Sequence, residues 1–141
     1  MHSLKQVGTV GIAFAAFACS STSTPPPTGT WSEIYPAIFP QTTKAQCNFC
    51  HGLPPNEKSN GSLSVGADKE SAYQSLVGKT AAGLRCAGKQ LVVPGKPDES
   101  LLLSKVTSPP CGDHMPLGGS PLTDDQVEMI RTWIAAGAKD D

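Results

Sequence analysis

Cys47-Asn48-Phe49-Cys50-His51 is the stretch on which the reading of this chain turns. Cysteines three positions apart share one face of a helical turn, and here an imidazole directly follows the second. Two thiols so placed can form thioethers with the two vinyl groups of a single porphyrin, and the adjacent imidazole then reaches its iron as proximal ligand. Cys47, Cys50 and His51 are therefore the candidate residues for one covalently attached haem. Two other uses of a C-x-x-C pair compete with this one. A redox dithiol belongs in a βαβ context, and no parallel-strand pattern surrounds these cysteines. Half of a zinc site would need a second ligand pair, for which Cys86 with Cys111 or His114 are the candidates.

The N-terminus points the same way. Met1 to Gln6 is short and polar with Lys5, Val7 to Ala18 is apolar, and Cys19 follows, which is the layout of an export signal over residues 1–18. The apolar run falls short of the roughly 20 residues a membrane span needs. Bacteria attach haem covalently outside the cytoplasm, so signal and motif agree. Ala16-Phe17-Ala18-Cys19 resembles a lipobox and also fits the small-x-small site of ordinary signal peptidase, with both cuts at the same bond. An unmodified N-terminal Cys would be an odd leftover thiol in an exported chain, and residues 19–30, rich in Ser, Thr and Pro, have the composition of a tether. Cys19 is the candidate lipidation site, and the expectation is a periplasm-facing lipoprotein of the cell envelope anchored to a membrane by lipid. Ser20 after the Cys allows the outer membrane, and a soluble periplasmic form is the alternative.

Losing residues 1–18 removes Lys5 from the 11 basic residues, leaving 10 against 12 acidic ones and a net charge of −2. Such a chain carries no basic face for nucleic acid. The remainder, residues 31–141, is enough for one modest domain, to whose apolar centre a bound porphyrin would contribute. Once lipid and haem claim three of the five cysteines, Cys86 and Cys111 remain, and an oxidising compartment predicts a disulfide between them.

The rest of the pattern is helical. Thr30-Trp31-Ser32-Glu33 reads as a capping box, opening a helix with Trp31, Ile34 and Ile38 on one side, which Pro36 and Pro40 kink or end. Thr43-Lys44-Ala45-Gln46 reads as a second box launching the turn that carries the cysteines. Gly52 to Gly66 is rich in Gly, Pro, Asn and Ser and reads as a loop, with a weak strand signal at Leu63 and Val65. Asp68 to Val77 has helical spacing, ended by Gly78. After a turn over Val93 to Pro97, Asp98 is placed to cap a helix carrying Leu101, Leu102, Leu103 and Val106. Thr123 and Gln126 open the last helix, with Val127, Ile130, Trp133 and Ile134 as its buried stripe and Gly137 at its close. That stripe is assigned to packing against the first helix.

Together these residues resemble the planctomycete-type bacterial cytochrome c domain, a branch of the class I-like cytochrome c superfamily. The resemblance is carried by the opening helix Trp31 to Phe39, Cys47 to His51, Gly61 to Val65, Ala72-Tyr73, Val93 to Pro97 with Ser100 to Leu103, Met115-Pro116, and Trp133 to Ala138. It covers nearly all of the chain after the tether. It implies an all-α cytochrome c fold, helices and loops wrapped around one haem c, with Cys47 and Cys50 as attachment sites, His51 as proximal ligand and Met115 as distal ligand. The residues read alone leave His114 as a rival to Met115. Cys86 and Cys111 are a departure, since the basic domain does not need them.

Two axial ligands leave iron no open site, which suits one-electron transfer and disfavours oxygen chemistry. A Met/His pair raises the reduction potential relative to two imidazoles. The expected function is that of a single-haem electron carrier serving redox partner proteins that no charged patch identifies. A haem-based module that senses a small gas and a haem-free metal-binding lipoprotein are the alternatives. No paired acid and base or activated nucleophile suggests catalysis by the chain itself. His51 needs a carbonyl for its other ring N–H, and Leu53-Pro54-Pro55 is near enough in sequence to offer one.

Overall fold

The computed structural model describes residues 28–52 and 63–141. The expected signal, Cys19, most of the tether, and Leu53-Pro54-Pro55 with the rest of 53–62 lie outside the described residues.

The described chain is helical: α1 (Trp31–Ile38), α2 (Cys47–His51), α3 (Lys69–Leu76), α4 (Leu101–Val106) and α5 (Asp124–Ala135), with 3-10 turns at Leu84–Cys86 and Pro97–Glu99. Among the described residues strand pairing amounts to two isolated bridges, Val77 with Val92 and Thr80 with Gln90. Neither involves Leu63 or Val65, so the weak strand signal there comes to nothing. Among the described residues no helix is long and apolar enough to cross a membrane.

Local capping starts three of the helices. Thr30 accepts from the Glu33 amide while Glu33 reaches back to the Thr30 amide, and Thr123 with Gln126 does the same at α5. Asp68 and Ser71 form the equivalent pair at α3. Each satisfies amide donors that a helix start leaves open. Pro36 is accommodated inside α1, which ends two residues later with Phe39 as its C-cap.

Two expected starts differ. Thr43 does not cap α2: its hydroxyl accepts from the Gln46 amide at 3.1 Å but donates back to the Ile38 or Pro40 carbonyl, both at 2.8 Å, tying a turn instead. The residue before α2 is Gln46, in left-handed backbone at φ 50° with no side-chain cap. Asp98 does not cap α4 either. It lies in the 3-10 turn and pairs with Arg131 of α5, while the N-cap position belongs to Ser100. The Ser100 hydroxyl is buried and spent on the preceding turn, accepting from the Val93 amide and donating to the Lys96 carbonyl, each at 2.9 Å.

α1, α3 and α5 meet around two indoles. Trp31 and Trp133 are fully buried and stack with ring centroids 4.9 Å apart, with Phe39 edge-on to Trp31 at 5.2 Å and Tyr73 beside both. Each indole N–H is met, Trp31 by the Lys69 carbonyl at 3.1 Å and Trp133 by the Lys139 carbonyl at 2.8 Å. Burying a side chain of this size removes about 200 Å² from water, an upper estimate of roughly 5 kcal/mol each. The chain enters this cluster at Gly29, where φ is +64° and a Cβ would stand 2.8 Å from the Met129 carbonyl oxygen, so only glycine passes.

Candidate functional site

The motif helix is placed by the end of the first one. The Asn48 amide donates to the Phe39 carbonyl at 2.9 Å, which docks α2 against the aromatic cluster. At its other end the His51 carbonyl accepts from the Val65 amide at 2.8 Å. The His51 ring is fixed by the same segment, with Nδ1 3.2 Å from the Leu63 carbonyl oxygen. This bond makes Nδ1 the protonated nitrogen and leaves Nε2 with its lone pair, the form an imidazole ligand must have. Its partner is Leu63, twelve residues on, in place of the expected Leu53-Pro54-Pro55.

Beside α2 lies a cavity of about 530 Å³, within the size range of small-molecule and cofactor sites. Its wall is mainly apolar: Phe39, Leu63, Val65, Leu76, Ala81, Leu91, Leu101, Leu102 and Val106 line it. Cys47, His51 and Met115 line it too. Cys50 and His114 are not among the lining residues; Cys50 is half-buried one turn beyond Cys47, and His114 is exposed. Leu84 and Leu117, at 96% and 66% exposure, also line the cavity, so among the described residues nothing covers this apolar surface. A large apolar guest with a metal centre fits such a wall: it would cover the two leucines, and a thiol, an imidazole and a thioether face the space it would fill.

Burial dominates the electrostatics of the motif. The Cys47 thiol is pushed up to about 11 by burial, with the neighbouring Cys50 adding to the effect against the pull of its own backbone amide. A redox dithiol needs the opposite, a depressed thiol. Burial also lowers the His51 pKa, opposed by the bond to Leu63. Both cysteines of the motif are free.

Cys86 and Cys111 are joined in a disulfide with their Cα atoms 5.6 Å apart, so the pair a zinc site would borrow is bonded to itself. Among the described residues no group of three or more His, Cys, Asp or Glu is arranged to hold a metal ion. The bridge ties the loop before Met115 to the 3-10 turn at Leu84–Cys86. Arg85 reinforces it with a two-pronged ion pair to Asp113, whose Nη1 to Oδ1 distance is 3.0 Å. Asp113 is held below the usual carboxylate range, first by the hydrogen bond from Arg85 and then by the charges of Arg85 and Lys105. Sequence reasoning missed Arg85, Asp113 and Lys105. One signal pointed to Lys105: a single cation in the otherwise apolar and hydroxyl-bearing run Leu101 to Val106.

No family model, curated protein or solved structure matches the chain.

Proposed function

We propose that this chain is a single-haem c-type cytochrome of the planctomycete-type branch, carrying single electrons at the bacterial cell envelope. It has no catalytic activity of its own and is held as a lipoprotein through Cys19. One observation carries the reading: Cys47, His51 and Met115 of the sequence pattern line one apolar cavity, and the His51 ring is held in the ligand tautomer by the Leu63 carbonyl.

Bound haem supplies a one-electron iron couple. The chain's own residues set its surroundings. Cys47 and Cys50 would hold the porphyrin through thioethers, and the half-buried Cys47, its thiol pushed up to about 11, is protected from stray disulfide exchange before attachment. His51 and Met115 would hold the iron. Leu63 orients the imidazole, and the leucine and valine side chains of the wall would give the group a largely apolar surrounding, which favours the less charged redox state. Exposed His114 makes no competing approach to the cavity.

An optical spectrum of the chain matured with a cytochrome assembly system tests the reading. Reduced bands of covalent c-type haem and a ferric Met–iron charge-transfer band are expected. Cys47→Ala or Cys50→Ala should leave at most one thioether, and His51→Ala should disrupt maturation. Normal c-type spectra from all three variants would refute the attachment site. Prompt stoichiometric binding of carbon monoxide to the reduced wild type would move the protein to the gas-sensing class. Mass spectrometry of the mature N-terminus should find a lipid on Cys19.

A further inference from the structure

Lys105 is the one cation of α4, and it shares the cavity wall with Leu101, Leu102 and Val106. An ammonium on an apolar wall is costly unless its donors are satisfied. Here main-chain oxygens of a single loop satisfy them: Nζ donates to the Cys111 carbonyl at 2.7 Å and to the Asp113 carbonyl at 3.1 Å. The backbone of the same residue takes the next alternate position, its carbonyl accepting from the Met115 amide at 2.8 Å. Lys105 thus grips residues 111, 113 and 115, with its charge at one end of the loop and its main chain at the other.

Gly112, between the first two contacts, shows how close the grip is. Its φ is +64°, and a Cβ built there would lie 2.7 Å from Lys105 Nζ. A side chain at 112 would displace the ammonium or open the loop. The disulfide and the Arg85–Asp113 pair bind the loop to the neighbouring 3-10 turn. Of these ties, only that of Lys105 reaches Met115.

The geometry points to Lys105 as the positioning residue for Met115: its ammonium and carbonyl together shape residues 111–115 so that Met115 stays on the cavity wall while His114 stays outside. This deepens the haem reading and rests on it. Lys105 is not a ligand in this scheme. It acts only by limiting how far the loop can open.

The test uses the full chain expressed with the maturation system, as wild type, Lys105→Met and Lys105→Arg. All three should carry covalent haem. Lys105→Met should lose roughly half of its ferric Met–iron band at 25 °C, since the loop now populates open forms. Its Met115 amide should exchange about ten-fold faster than in wild type, with the Ile130 and Trp133 amides unchanged. Lys105→Arg, which keeps charged donors, should recover most of both signals.

A Lys105→Met protein with wild-type exchange and a wild-type band overturns the proposal. Faster exchange with an unchanged band also overturns it, reducing Lys105 to a staple with no bearing on Met115. If Lys105→Met fails to accumulate, Lys105→Ala provides the same comparison, and an unchanged band there refutes the grip. A wild type without covalent haem would sink the function, and the assignment to iron with it, while Met115 exchange in that same purified chain would still report whether the grip exists.

Discussion

The two sides of this molecule are held together by different means. Around Trp31 and Trp133, three helices fill their own space: rings stack at 4.9 Å, edges close at 5.2 Å, and every indole N–H has a carbonyl. Around the cavity, the wall from Ala81 to Leu117 is made of loops, one 3-10 turn and a six-residue helix, facing a hollow of about 530 Å³. A wall around a hollow cannot brace itself by close packing across the empty space. This one is braced within itself by a disulfide, an ion pair and a half-buried lysine. Packing sets the stability of the first region, and staples set the geometry of the second.

Damage to the first region should therefore show as lost stability, and damage to the second as a changed iron signal. The largest effect is expected from Trp133→Ala, which removes a fully buried indole and should cost about 3–5 kcal/mol, read by thermal melting followed by circular dichroism. Below its melting transition this variant should keep the Met–iron band; loss of the band well before unfolding would erase the distinction.

Next is the double variant Cys86→Ser, Cys111→Ser. Opening a bridge with a sequence separation of 25 should cost roughly 3 kcal/mol on the chain-entropy account. Haem should be retained and the Met–iron band lost at lower temperature than in wild type. Unchanged ligand loss, or free thiols titrated at these two positions in the unreduced protein, would remove the disulfide from the bracing.

Met115→Ala touches a half-buried side chain and should cost only about 1 kcal/mol. Its spectral effect should be complete: the covalent haem stays, the potential falls and carbon monoxide binds. His114→Ala, at an exposed position, should leave the spectrum alone, and the reverse pattern would make His114 the ligand.

The smallest effect belongs to the packed side. Asp68 is held below the usual carboxylate range first by the backbone hydrogen bond from Ser71 and then by its hydroxyl. The folded state therefore binds protons less readily there than the unfolded chain. That stabilisation is present above the ordinary Asp value of about 4 and fades as pH falls through the lowered one. Asp68→Asn, which can still cap, should flatten the acid limb of a melting curve slightly without touching the Met–iron band in the same pH range.

What the sequence made legible follows the same division. The packed side was readable because its signals are local: Thr30 with Glu33, Thr123 with Gln126, and the stripe ending in Trp133 and Ile134 each lie within a few turns of one helix. The bracing side was harder, because a hydroxyl or ammonium can serve the nearest turn or one far along the chain. Thr43 looked like a cap and bonds back to Ile38 or Pro40; Asp98 looked like a cap and meets Arg131. The partner of His51 lies across a segment from it in sequence, at Leu63, and no periodicity marks a carbonyl. The grip of Lys105 depends on how α4 and the Met115 loop are set in space, which side-chain pattern does not encode. The motif gave the clearest signal because the chemistry it suggests demands fixed spacing, and the structure places Cys47 and His51 on the cavity wall.

The placement of the tryptophans also creates a built-in optical ruler. The chain has two, Trp31 and Trp133, and both sit in the same stack, so the wavelength of their emission reports the solvation of the packed side, while its intensity also depends on energy transfer to a bound chromophore. The absorption of a bound chromophore would see the other side alone. Recorded together during one denaturant titration, the two colours ask whether the molecule comes apart as a single unit. Coincident curves would mean that the braces and the packed helices share one cooperative transition. An absorption change that precedes the fluorescence would mean that the cavity wall can let go while the tryptophan stack still stands.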